Sequence, residues 1–232
     1  LIYSSTQHPS ETQKIIAEML KQENNSITVK VRRIGGGFGG KETQSFIYAA
    51  ISTLLARKTK SPIKLRMDRD DDIIISGKRH DFYSEYKVGF DNKGIIKGLK
   101  VILASRCGIS PDLSSAINDR ALLHIDNTYY LPNIIVKNYL CKTNTASNTA
   151  FRGFGGPQGM MCIENIIDNI ARYLKLDSSV VRKRNFYQKN YNNITHYNMR
   201  IEDNIMNELF NELVKTSNYK YRNKQIQKFN NN

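Results

Sequence analysis

The run Gly35-Gly36-Gly37-Phe38-Gly39-Gly40-Lys41-Glu42 holds five of the chain's 14 glycines. The apolar-rich segment Ile27-Thr28-Val29-Lys30-Val31 leads into it, and an apolar-periodic segment from Phe46 to Ala56 leads out. This order predicts a strand, a tight glycine loop and a helix from about Thr43 to Arg57. Glycine is needed where backbone takes a positive φ or approaches a ligand closely. At a helix N-terminus such a loop also presents N–H groups with no intrahelical acceptor, which suits an anion.

Two nucleotide readings of the loop fail in part. Gly35, Gly37 and Gly40 fit G-x-G-x-x-G, but the acidic residue that fingerprint needs about 20 positions on is replaced by Lys60. Gly35 to Lys41 also spells G-x-x-x-x-G-K. A P-loop would continue with Ser or Thr to hold magnesium, and here Glu42 follows, whose carboxylate repels phosphate. A nucleotide-binding module using Gly35–Gly40 stays as an alternative, as does a glycine turn that serves packing alone.

A second cluster, Phe151-Arg152-Gly153-Phe154-Gly155-Gly156-Pro157-Gln158-Gly159, follows the predicted strand Ile134–Lys142 and a polar loop. The helix after it carries Met160, Met161, Ile163, Ile166, Ile167 and Ile170, and Pro157 is tolerated in its first turn. The chain thus repeats one device: strand, loop with glycines and a Phe, helix start. Two such loops point to one extended anionic ligand held from two sides.

The rest of the chain predicts alternating elements. Ser10 is the expected N-cap of a helix over Glu11–Gln22. Pro62 opens a strand over Ile63–Met67, and Asp68-Arg69-Asp70-Asp71-Asp72 reads as a solvated turn or helix cap rather than a calcium or magnesium site. Phe82–Phe90 and Ile95–Ala104 form a hairpin around Asp91-Asn92-Lys93-Gly94. Helices are expected over Ser114–Asn127, Val180–Asn185 and Glu202–Val214, with a Lys- and Asn-rich tail lacking a terminal element. The expected fold is α+β, mixed sheets with packed helices. Residues 1–200 are read as one partial domain, and 201–232 as a helix and tail opening a further region.

The 232 residues are 40% hydrophobic and 24% charged, as in a soluble globular protein. No apolar run approaches the ~20 residues of a membrane span, and Leu1-Ile2-Tyr3-Ser4-Ser5 lacks the basic region and long apolar core of a signal peptide; a cytoplasmic protein without a membrane partner is expected. Cys107, Cys141 and Cys162 are odd in number and contain no C-x-x-C, which argues against a disulfide framework or a zinc or iron–sulfur site in this chain. The net charge of +14 comes from basic residues interleaved with acidic ones, so no nucleic-acid partner is expected.

Taken together, GGGFGGKE at 35–42 and SNTAFRGFGGPQ at 147–158 resemble the molybdopterin-binding region of the xanthine dehydrogenase family. Arg69-Asp70-Asp71-Asp72, Gly77-Lys78-Arg79-His80 and Asp119-Arg120-Ala121-Leu122 agree with it, and the likeness runs to about Tyr197. The resemblance implies a molybdenum hydroxylase acting on hypoxanthine or xanthine, with molybdopterin and molybdenum as cofactor and with 2Fe–2S clusters and FAD on other domains or subunits. It places Gly37, Phe38, Gly39, Arg152 and Gly153 at the cofactor, Phe38 and Arg152 nearing the metal through their backbones. It makes Glu42 and Arg120 the pair that grips the purine, and Phe154 the aromatic lying on it. Aldehyde oxidases share the overall pattern but usually lack this Glu and Arg.

Departures matter too. The family's general-base Glu in a Gly-x-Gly-Glu setting, the second sandwiching aromatic, and an upstream Gly-Gln motif reaching the metal's apical ligand are all expected outside this chain. The chain is therefore read as the middle of a longer catalytic subunit, inactive alone. A non-catalytic remnant of such a subunit is the rival.

Overall fold

A computed structural model describes residues 1–231. Two compact units alternate along the chain: one takes Leu1–Tyr83, Leu103–Leu122 and Asn138–Gln158, the other Ser84–Ile102, Leu123–Lys137 and Gly159–Asn232.

The first unit opens with β1 (Ile2–Tyr3), which pairs in parallel with β2 (Val29–Lys30), Ile2 opposite Val29 and Tyr3 opposite Lys30. Parallel neighbours need a crossover, and α1 (Pro9–Leu20) supplies it. Pro9 stands at the start of the helix, where a missing N–H leaves no bond unmade, so the cap is His8 and not the expected Ser10. The His8 carbonyl accepts from both the N–H and the hydroxyl of Thr12, at 3.0 and 2.9 Å. Ile16 and Ala17 of α1 form a small core with Ile27 and with Ala49 of α2 (Ser45–Thr59).

The strand expected over Ile63–Met67 does not form: among the described residues this stretch joins no sheet and makes no backbone hydrogen bond. The aspartate run is a helix start. Asp68 caps α3 (Arg69–Ile75) by accepting the Asp71 N–H at 2.9 Å, and Asp70, Asp71 and Asp72 fill the first turn, where negative charge suits the helix dipole.

A second sheet has the order β3 (Phe82–Phe90), β4 (Ile96–Gly108), β5 (Ile134–Lys142). In the second unit, Asp91 shapes the β3–β4 hairpin by accepting the N–H groups of Lys93 and Ile95 at 2.9 and 3.0 Å. Asn185, at the end of α6 (Ser178–Asn185), fixes that turn. It accepts the Ile96 N–H and donates to the carbonyls of Gly94 and Val181, each at 2.8 Å. In α5 (Gly156–Leu174), Ile163, Ile166, Ile167 and Ile170 recur at helical spacing and are all buried.

Three helix limits shift. The α4 helix (Ser114–Leu123) stops short of Asn127, α7 (Met206–Thr216) starts after Glu202, and the tail expected to be irregular is α8 (Tyr219–Asn230). Asp177 explains the last difference. Its carboxylate accepts the Tyr219 hydroxyl at 3.0 Å and the Asn223 amide at 2.7 Å while capping α6 through the Ser179 N–H at 2.8 Å. Burial pushes the Asp177 carboxyl up, but these bonds outweigh it and hold the group below the usual carboxylate range.

Among the described residues no helix is long and apolar enough to cross a membrane, and no group of three or more His, Cys, Asp or Glu side chains could hold a metal ion.

Candidate functional site

Both glycine clusters fold into the same turn. In Gly37-Phe38-Gly39-Gly40, the Gly40 N–H donates to the Gly37 carbonyl at 2.9 Å, with Phe38 at φ +52° and Gly39 at φ +92°. In Gly153-Phe154-Gly155-Gly156, the Gly156 N–H donates to the Gly153 carbonyl at 2.9 Å, with Phe154 at φ +49° and Gly155 at φ +96°. Positive φ at both central residues makes each a type I′ turn. Glycine takes such angles freely, whereas phenylalanine at positive φ is strained by about 1–2 kcal/mol. The same strain at the same position of both turns marks them as candidates for function.

The two turns and α4 meet within the first unit. A Cβ on Gly39 would lie 3.0 Å from the Ala150 carbonyl carbon and 3.1 Å from its Cβ, so the first turn sits on the irregular segment leading into the second. A Cβ on Gly155 would lie 2.0 Å from the Ile117 carbonyl oxygen and 3.1 Å from the Ala121 nitrogen, so the second turn lies against α4 beside Arg120. Polar ties hold the arrangement. The Thr43 and Thr149 hydroxyls are 3.1 Å apart, and the Asp112 carboxylate accepts the Thr43 hydroxyl at 3.0 Å and the Gln44 amide at 2.9 Å. Arg79 donates to the Arg152 carbonyl at 2.7 Å, with its guanidinium 4.4 Å from the centre of the Phe151 ring. Gln158 donates to the His80 carbonyl at 3.1 Å, and the His80 ring lies 2.7 Å from the Ser114 hydroxyl at the start of α4. Burial pushes the His80 imidazole below its usual range, against a smaller opposing pull from Asp112.

Each expected site residue has a definite place. Phe38 is 62% exposed, Arg152 and Arg120 are exposed, and Phe154 is half-buried in its turn. Glu42 is half-buried; its N–H donates to the Gly39 carbonyl at 3.1 Å, and its carboxylate makes no hydrogen bond or ion pair among the described residues. The turns therefore assemble Gly37, Phe38, Gly39, Glu42, Arg152, Gly153 and Phe154 next to the helix that carries Arg120.

Two expectations about the first loop need correction. Helix α2 begins only at Ser45, so the Gly35–Gly40 run does not open straight into a helix as a phosphate-binding loop does. Its amides are also partly engaged. Gln7 inserts its side chain where a Gly37 Cβ would be, 2.4 Å away, and its oxygen accepts the N–H groups of Gly39 and Lys41 at 2.9 and 3.3 Å. Gln7 and Asp112 carry no signal in the sequence, and Arg79 stands in a matching motif without an assigned role. No local pattern announces their contacts, since each acts on a loop distant in sequence.

The donors left over fit a cofactor rich in acceptors. Among the described residues the backbone amides of Gly36, Gly37 and Phe38 in the first loop, and of Arg152 and Gly153 in the second, donate to nothing, and neither does the side-chain Nε2 of Gln7. Such a convergence of N–H groups and one guanidinium suits the oxygens of a pterin, a phosphate or a metal-oxo group. A separate cleft of about 1920 Å³ borders the first loop at Gly37 and Gly40 and the second at Ala150 and Phe151, but neither Glu42 nor Arg120 lines it.

Comparison with known proteins agrees with this geometry. Residues 1–186 match the model of the molybdopterin cofactor-binding domain family. The chain is 45% identical over 229 residues to a xanthine dehydrogenase/oxidase of Gallus gallus and 41% identical over 229 residues to a xanthine dehydrogenase of Dictyostelium discoideum, covering 99% of this chain in both cases. It spans 17% of the length of each. Its fold is similar to that of an aldehyde oxidoreductase from Desulfovibrio desulfuricans, with a TM-score of 0.87 at 22% identity over 98% of this chain and 25% of that one. A quinoline 2-oxidoreductase from Pseudomonas putida 86 gives 0.84 at 22% identity over 99% of this chain and 30% of that one. The chain is an α+β member of the molybdopterin cofactor-binding domain family.

Proposed function

We propose that this chain forms part of the cofactor and substrate site of a xanthine dehydrogenase-like molybdenum hydroxylase acting on hypoxanthine or xanthine. The observation that carries the reading is the meeting of two identical Gly-Phe-Gly-Gly turns with the α4 helix, through Gly39 on Ala150 and Gly155 on Ile117. A single-loop nucleotide site would need neither the second turn nor its match to the first.

In this reading molybdopterin would be held by the free amides of Gly37, Phe38, Arg152 and Gly153 and by the Arg152 guanidinium, with Phe38 and Arg152 the residues that would face its molybdenum. Gly39, whose amide is taken by Gln7, contributes the turn and the contact with Ala150. The bound molybdenum centre supplies the oxygen-transfer and electron-accepting chemistry. The residues of this chain position and polarise. The unpaired Glu42 carboxylate accepts a hydrogen bond from a ring N–H of the purine, Arg120 stabilises negative charge that develops on the ring or its oxygen, and Phe154 lies against the flat heterocycle. Gln7 keeps one donor, its side-chain Nε2, for a ligand in the loop. The 2Fe–2S clusters, FAD and the general base belong to other regions or subunits, so the chain turns over no substrate by itself.

The test uses an enzyme assembled by co-expressing this chain with the two stretches of the Gallus gallus protein that flank the matched region. Arg120→Met should lower purine turnover about a hundredfold, as loss of a group facing developing charge does, with a much smaller effect on a simple aldehyde. Equal losses on both substrates refute the role of Arg120. Molybdenum bound without purine turnover by the unmutated assembly marks the chain as a non-catalytic remnant.

A further inference from the structure

We propose that Ile63–Met67 is a strand awaiting its neighbour, and that the cleft beside it receives an extended, alternately apolar and acidic segment of a partner polypeptide. Ile63, Leu65 and Met67 alternate with Lys64 and Arg66, the period of a half-buried strand. Yet the stretch joins no sheet and makes no backbone hydrogen bond among the described residues, and Ile63 and Leu65 are each 37% exposed. A strand pattern with unpaired N–H and C=O groups is a template for strand addition, in which main-chain bonds give affinity and alternate side chains give register.

The surroundings fit such a guest. Pro62 to Asp68 line one part of the cleft of about 1920 Å³, and the face of α2 carrying Ala49, Ser52, Thr53 and Ala56 lines another. Beyond Tyr48 at its N-terminal end and before Arg57, the small side chains on that face let a second backbone come close. Helix α2 also leaves Ile47, Ile51, Leu54 and Leu55 between 42% and 54% exposed along a further stripe, and a helix apolar on several sides belongs in a larger core.

The occupant follows from size and charge. The chain spans 17% of the length of its curated relatives, so in proteins of this kind most of the polypeptide lies outside the matched region. Cations exceed anions along the cleft: Arg57, Lys64, Arg66 and Arg69, with Lys41, Lys78 and Arg79, against Asp68 and Asp72. A strand from the flanking polypeptide, apolar where it meets Ile63 and Leu65 and acidic where it meets Lys64 and Arg66, satisfies both. This inference is independent of the purine reading, because its readout involves neither cofactor nor substrate.

Hydrogen exchange on the full chain, alone and mixed with the two flanking polypeptides of the Gallus gallus protein, tests it. The amides of Ile63–Met67 should become protected in the mixture. Leu65→Pro, which removes a ladder donor from a stretch without regular structure, should weaken co-purification about tenfold, and Lys64→Glu with Arg66→Glu should weaken it and reduce its salt dependence. Ile74→Ser on the exposed side of α3 should leave binding unchanged. The proposal is overturned if no complex forms, if Ile63–Met67 exchange as fast in the complex as in the free chain, or if Leu65→Pro binds like the wild type. Protection of the same amides by self-association of the free chain would also overturn it, in favour of a second copy.

Discussion

Replacing Gly155 by alanine should loosen the junction on which the site depends. The new Cβ would lie 2.0 Å from the Ile117 carbonyl oxygen and 2.9 Å from its carbon, against backbone that cannot rotate away. Overpacking of this kind costs about 1–3 kcal/mol, and the +96° φ adds about 1–2 kcal/mol for any residue with a Cβ. The sum, about 2–5 kcal/mol, corresponds to a fall in Tm of roughly 4–20 °C for a chain of this size. Gly35→Ala is the matched control: it has a φ of +66° but nothing within 4 Å of the new Cβ, so only the backbone cost of about 1–2 kcal/mol applies. Thermal and urea denaturation followed by circular dichroism should rank the two variants clearly. If Gly155→Ala melts as high as Gly35→Ala, the close approach of the second turn to α4 is wrong, and with it the placing of Arg120 beside that turn.

Two further outcomes rest on single carboxylates. Asp112→Ala should cost about 1–3 kcal/mol in urea denaturation, because it removes the acceptor shared by Thr43 and Gln44 and puts alanine at a φ of +43°. Asp112→Asn, which keeps an oxygen acceptor and tolerates that φ, should recover most of the loss, and an equal loss in both variants would refute the account. Asp177 has a carboxyl held below its unfolded range, so the stability it gives is complete above the unfolded value and is lost as pH falls through the lower folded one. The wild type should therefore lose more stability than Asp177→Asn between about pH 5 and pH 3, and parallel pH profiles of the two proteins would show that the carboxylate contributes nothing.

Local chemistry made much of the chain legible from sequence. The hairpin around Asp91–Gly94, the strand Ile134–Lys142, the isoleucine face of α5 and the Asp68 cap all follow from side-chain period, turn residues and capping, which act within a few positions. The likeness of the two Gly-Phe-Gly-Gly loops was equally visible, and they fold into matching turns. Features that depend on remote partners escaped. Ile63–Met67 has a strand's pattern but no neighbour among the described residues, and α8 forms where a loose tail was expected because Asp177 holds its first turn. Gln7 occupies loop amides that the local reading left for a ligand.

The sequence by itself determined that two matching glycine turns exist, because turn residues and their spacing are local properties, and its resemblance to the xanthine dehydrogenase family nominated the acid, guanidinium and aromatic expected beside them. Only the tertiary structure decided that the turns lie against each other and against α4. That contact exists because Gly39 and Gly155 lack the Cβ atoms that would collide with Ala150 and Ile117, residues far away along the chain.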